Sequence, residues 1–149
     1  MKIIIIAVGK EKDFSAQSLV AEYSARIEHY TQLEWVYLPA SDAKEENARI
    51  LKVLDTQGSG SYVVTLDEKG KEYTSTSFSQ FIQTRMNEGL KSLIFIIGGS
   101  YGLNEEVRAR ANSSIALSQL TFPHQLVRLI LAEQLYRACT ILKGEKYHH

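Results

Sequence analysis

Four consecutive isoleucines, Ile3 to Ile6, stand inside the run KIIIIAV at Lys2–Val8. A strand with one face in water alternates polar and apolar residues, so a run without alternation asks for cover on both faces. A parallel sheet flanked by helices meets that demand, and the rest of the chain supplies the pieces. Leu19, Tyr23, Ile27 and Tyr30 recur at helical spacing over 15–30. LEWVYL, Leu33–Leu38, reads as a second strand stopped by Pro39. A charged amphipathic helix follows over 43–54, then the loop DTQGSGS. Residues 62–66 read as a third strand closed by the turn DEKGK. A helix carrying Phe78, Phe81, Ile82, Arg85 and Met86 ends before Gly89, and 93–97 is a fourth strand. Asn104 has the chemistry of a helix N-cap, with Glu105 and Glu106 complementing the dipole of the first turn. Residues 114–117 form a short fifth strand. Pro123 opens a last helix that runs to about Leu142, with Gly144 beyond it. Strands alternating with helices predict an α/β fold, a mostly parallel sheet with helices on both faces, in a single domain over 1–149.

Charge excludes one class of function. Seventeen Lys and Arg balance seventeen Asp and Glu, whereas a sequence-independent nucleic-acid binder is strongly basic. An enzyme that meets RNA through one local cluster remains compatible. Cys139 is the only cysteine, so no intramolecular disulfide is possible, in keeping with a reducing compartment. Its place in an apolar helical run points to a buried, inert thiol. The N-terminal run is short and breaks at GKEKD without a cleavage site of small residues, so it reads as a strand and not a leader. No stretch approaches the roughly 20 apolar residues of a membrane span. The expectation is a cytoplasmic protein without membrane contact.

In the last helix, Leu126, Val127, Leu129, Ile130, Leu131, Leu135, Ala138, Ile141 and Leu142 spread over most of the circumference. A helix apolar nearly all round is buried on more than one side. A second copy of the chain is the simplest cover, since two-fold dimers are the commonest assembly. A charge at Leu131 or Leu135 is then expected to split or unfold the protein.

IIGGSYG, residues 96–102, places three glycines within five residues at the end of the fourth strand. Ligands of open α/β sheets bind beyond such ends; a tight strand-to-helix connection is the plainer alternative. The turn lacks the G-x-G-x-x-G spacing of a dinucleotide site and the G-x-x-x-x-G-K-[ST] of a phosphate loop. His29, His124, His148 and His149 have no partners at metal-ligand spacing except the adjacent final pair, so no metal is expected. A second loop, LSQLTF at 117–122, ends the fifth strand and bears hydroxyls without charge. With the end of the third strand near Leu66, three uncharged loops suit an adenine-like ring read by backbone atoms, on a ligand without polyphosphate.

VVTLDEKGK, FIIGGSYGL and above all LTFPHQLVRLILAEQLYRA, followed by a chain ending in YHH, resemble the SPOUT, or α/β-knot, RNA methyltransferases. Within them the resemblance is to the small class of ribosomal large-subunit pseudouridine methyltransferases, and it covers essentially the whole chain. It implies a sheet whose C-terminal part threads a deep trefoil knot, an exception to the rule against knots. It implies a homodimer that binds S-adenosyl-L-methionine through Leu66, Gly98 and the run Leu117, Ser118, Gln119, Leu120, Thr121 and Phe122. It implies as substrate the N3 of a pseudouridine in 23S ribosomal RNA, in the large subunit or the whole ribosome, with the C-terminal tail beside the methyl donor. S-adenosylmethionine has no phosphate, which fits a glycine turn without lysine.

Methyl transfer to an imide nitrogen needs positioning and the removal of a proton. Tyr147 and His148 match the tail of the family, and His148 is the first candidate for handling that proton. His149 stands where the family more often carries a basic residue. Glu133 and Arg137, four apart, are placed to pair. His124 and Arg128 share another face, and Arg128, also a candidate catalytic residue, lies nearly opposite Arg137, so that in a dimer one arginine can face the cofactor pocket and the other the partner. The rival readings are a non-catalytic dimeric adaptor that binds ribosomal RNA or a nucleotide, and a nucleotide-dependent enzyme of flavodoxin-like topology. A thermal-shift panel of S-adenosylmethionine, ATP, NAD and FMN separates them.

Overall fold

The computed structural model describes residues 1–9 and 14–149. Most of the GKEKD stretch therefore lies outside the described residues. The element order is β1 (Lys2–Val8), α1 (Phe14–Ile27), β2 (Leu33–Leu38), α2 (Ala43–Gln57), β3 (Ser61–Glu72), α3 (Ser75–Asn87), β4 (Ser92–Ile97), α4 (Glu105–Arg110), β5 (Ser113–Ala116) and α5 (His124–Leu142). The strands form one five-stranded sheet in the order β2-β1-β4-β3-β5, with every pairing parallel. β1 and β4 lie at its centre and are the most continuously apolar runs of the sequence.

The pleat divides the core in two. Ile3, Ile5, Ala7, Phe95 and Ile97 point to the face covered by α1, α3 and α5. Ile4, Ile6, Val8, Ile94 and Ile96 point to the face covered by α2 and α4. Helix starts are closed by side chains: Asp42 accepts from Glu45 N, Thr74 and Ser77 form a capping box, and Asn104 accepts from Val107 N, as its sequence position implied.

Two expectations change. β3 does not end at Leu66. It continues to Glu72, and Leu66 and Lys71 both face Ile115, with residues 67–70 as an excursion between them. Gly70 makes the return possible: a Cβ there would sit 2.7 Å from the carbonyl carbons of Ser114 and Ile115. The second change concerns α5. Much of its apolar circumference is met within the chain, since it packs against α1 on one side and α3 on the other. Leu131 and Leu135 are buried there, so a charge at either would unfold the protein and not merely split a dimer. Leu126 stays exposed, and Leu129 and Ile130 half-buried, on the outer side.

Candidate functional site

The middle of β3, where its excursion begins, and the C-terminal ends of β4 and β5 converge on a cleft of about 270 Å³. Leu66, Gly98, Leu117, Ser118, Leu120 and Phe122 line it, so six of the eight residues expected to bind cofactor come together. Gln119 and Thr121 belong to the same loop without lining the cleft. Leu120 is largely exposed at its edge. Ser118 fixes the loop locally, its hydroxyl accepting from Leu120 N at 3.0 Å. Leu66 and Leu117 also wall a second cavity, about 240 Å³, between α3 and α5.

The glycine turn is shaped largely from behind. A Cβ on Gly99 would lie 2.6 Å from Glu46 Oε1 and 3.0 Å from Val8 Cγ1, so this position is glycine because α2 packs against it. Gly102 adopts a φ of +72°, the left-handed region that favours glycine. Neighbouring Asn47, buried in α2, accepts from Asn104 N at 2.9 Å and ties the exit of the turn to the sheet's other face.

The cleft is not uncharged. Asp67 and Glu68, read in the sequence as a turn, are carried to its edge by the 67–70 excursion, and Arg108 reaches it from α4. Arg108 Nη1 pairs with Asp67 Oδ2, and its Nε donates to Leu103 O at 3.1 Å. Asp67 Oδ1 accepts from Lys69 N at 2.9 Å. That backbone N–H, then Arg108, hold the Asp67 carboxyl below the usual carboxylate range. Thr121 donates to Glu68 Oε2 at 2.7 Å, joining the 117–122 loop to the excursion. Sequence reasoning missed these charges because it closed β3 at Leu66.

The tail residues form a separate cluster against α5. Arg137 donates to Glu133 Oε1 through Nε at 3.0 Å and Nη2 at 2.6 Å, which strengthens the guanidinium's hold on its proton. Its Nη1 lies 3.0 Å from His148 Nδ1. Tyr147 donates to the same Glu133 oxygen at 3.1 Å and packs edge-on against Tyr136, ring centroids 4.7 Å apart. Burial, with Tyr23 and Glu133 nearby, raises the Tyr147 pKa, so it stays a donor. His149 is exposed. Glu133 and Arg137 thus form the pair that their spacing allowed, and Tyr147 and His148 join them in one cluster.

Arg128 is not among them. It is 1% exposed, donates to the carbonyls of Val8 at 2.9 Å and Gly9 at 2.7 Å, and stands over the Tyr37 ring. Helical spacing gave its face, but not the fact that the face is sealed by the end of β1. His124, one turn earlier, lines the cleft. Cys139 is buried, and burial pushes its thiol up to about 11. Among the described residues no group of three or more His, Cys, Asp or Glu is placed to hold a metal, and no helix is long and apolar enough to cross a membrane.

A family model described as predicted SPOUT methyltransferase matches residues 1–148. Proteins named ribosomal RNA large subunit methyltransferase H are similar along the whole chain. That of Christiangramia forsetii is 48% identical over 158 aligned residues, covering 100% of this chain and 99% of its own. That of Cytophaga hutchinsonii is 44% identical over 155, covering 100% of both. A solved structure, a probable methylase family protein from Haemophilus influenzae Rd KW20, shares the fold with a TM-score of 0.56 at 12% identity, over 95% of this chain and 66% of that one.

Proposed function

This chain belongs to the SPOUT methyltransferase family and is a ribosomal RNA methyltransferase, and on that premise we propose that it methylates N3 of a pseudouridine in the 23S RNA of the large ribosomal subunit, using S-adenosylmethionine. The observation that carries the reading is the single cleft built from three distant segments, 66–68, 97–103 and 117–122. Its lining suits that cofactor. Leu66, Ile97, Leu117, Leu120 and Phe122 offer apolar walls for a ring, and Asp67, Glu68 and Arg108 offer charges of both signs instead of a polyphosphate cradle. When bound, the cofactor supplies a methyl group on a sulfonium. The chain around it is read as one domain over 1–149, threaded as the family's trefoil knot, acting in the cytoplasm.

The acceptor nitrogen must be brought in line with the methyl group and lose its proton. The groups suited to this are Glu133, Arg137, Tyr147 and His148, yet within one chain they stand apart from the cleft. Val127 lines the cleft and Arg137 anchors the cluster, ten residues on, about 15 Å along the helix axis. Two copies related by a dyad near residue 132, with α5 antiparallel to its mate, would set residue 127 of one against residue 137 of the other. The outer Leu126, Leu129 and Ile130 are the apolar surface for that contact. The working unit is therefore a homodimer with a composite site: the cleft of one copy and the tail cluster of its partner.

The test is transfer of labelled methyl from S-adenosylmethionine to large subunits or ribosomes from cells lacking the modification, followed by nucleoside analysis. Label in methylated pseudouridine is expected. Label in another nucleoside, or none beside tight RNA binding, overturns the reading, the latter in favour of an adaptor.

A further inference from the structure

The proposed cofactor has three chemically distinct parts: an adenosine, a sulfonium, and an amino-acid end that carries a carboxylate and an ammonium. The apolar walls of the cleft suit the ring, but a zwitterion needs a cation and an anion presented close together. The described residues lining the cleft offer such a couple in Arg108 and Asp67. They come from different elements, Arg108 from α4 and Asp67 from the excursion in β3, so they meet only in the folded chain.

Each member is fixed from its own side by backbone. Arg108 Nε is held by Leu103 O at 3.1 Å, and Asp67 Oδ1 by Lys69 N at 2.9 Å. What remains, a guanidinium edge and Oδ2, is turned by each toward the other. The Arg108 side chain is 44% exposed and that of Asp67 12%, so the guanidinium is open to an incoming ligand while the carboxylate is largely covered. A carboxylate on the guanidinium and an ammonium on Oδ2 restore two charge-assisted bonds for the one given up. The bond from Lys69 N to Asp67 Oδ1 does not involve Arg108 and so remains in place through that exchange. Glu68, by contrast, is engaged with Thr121.

We propose that the Asp67–Arg108 pair is the subsite for the amino-acid end of S-adenosylmethionine, with the carboxylate on Arg108 and the ammonium on Asp67. The proposal depends on the cofactor reading above and adds what recognises the methionine part. It makes the pair a stand-in for the ligand's own charges, and it makes the cleft discriminate between adenosine thioethers that have the amino acid and those that lack it.

The experiment is calorimetric titration of the wild-type protein, Arg108→Met and Asp67→Asn with two ligands. S-adenosylhomocysteine carries the amino acid; 5′-methylthioadenosine is the same kind of thioether nucleoside without it. Each substitution is expected to weaken S-adenosylhomocysteine by about tenfold or more while leaving methylthioadenosine within about twofold. Retained methylthioadenosine binding also reports an intact cleft. Equal weakening of both ligands makes the pair a structural latch and overturns the proposal, as does no weakening of either. A wild-type protein that binds neither ligand removes the cofactor reading itself, and this subsite with it.

Discussion

Arg137 and His148 meet across 3.0 Å, Nη1 of the guanidinium against Nδ1 of the ring. A guanidinium only donates, so the contact is a hydrogen bond in the tautomer whose Nδ1 accepts, with the ring's other nitrogen left for a second partner. The Glu133 carboxylate fixes the guanidinium by two bonds. The three groups therefore act as a unit, with the ring aimed by its neighbours.

Arg137→Ala and His148→Ala are each expected to lower methyl transfer by about 10²-fold or more, with S-adenosylhomocysteine affinity unchanged. The double variant is expected to be little worse than either single one, because residues of one network are not additive. Single-turnover rates on ribosomes read this. Full additivity would separate the two roles.

The outer side of α5 predicts where the dimer breaks. Leu129→Glu is expected to give a folded chain that scatters light at about the mass of one copy, 16.8 kDa, and transfers no methyl. Leu131→Glu is expected to lose its cooperative unfolding transition altogether, since Leu131 is buried within its own chain and an unpaired buried charge costs several kcal/mol.

At Gly70 the main chain of β3 returns against β5 with room for no side chain. Gly70→Ala must push Ser114 and Ile115 away and should lower stability by about 1–3 kcal/mol. Denaturant unfolding measures it. A loss of only a few tenths would mean that the excursion shifts freely.

The buried Cys139 thiol gives a pH signature. Its pKa is raised by burial from 9.0 to about 11, so the folded state holds the proton that the unfolded chain releases. Its contribution is complete below pH 9 and disappears as pH rises toward 11. The wild type should lose more stability across that window than Cys139→Ala. At neutral pH a thiol reagent should label Cys139 only on unfolding.

The sheet was legible where burial is two-sided: Lys2–Val8 and residues 93–97 carry no polar alternation and stand at its centre. β3 was not, because DEKGK has the composition of a turn. Its continuation depends on renewed pairing of Lys71 and Glu72 with Ile115 and Ala116, partners more than 40 residues away. For the same reason Asp67, Glu68 and Arg108 were absent from the expected site although Leu66, Gly98 and Leu117 were in it. Arg128 shows another limit of pattern: spacing assigns a side chain to a face, and only the packed β1 end decides that this face is sealed. The tail was legible through family resemblance, and its physical basis, Tyr147 on Tyr136 and Glu133, is long-range packing that no local pattern encodes.

The composite site is tested most directly by mixing two inactive copies. Gly98→Val, which crowds Leu103 and the glycine turn, disables the cleft; His148→Ala disables the tail cluster. Alone, each is expected to form dimers without activity. Co-expressed in equal amount, half of the dimers are mixed, and each of these has one site with an intact cleft and an intact partner tail. Methyl transfer should return to about a quarter of the wild-type level. Activity no greater than the sum of the two variants alone would place cleft and tail in the same chain and contradict the shared site.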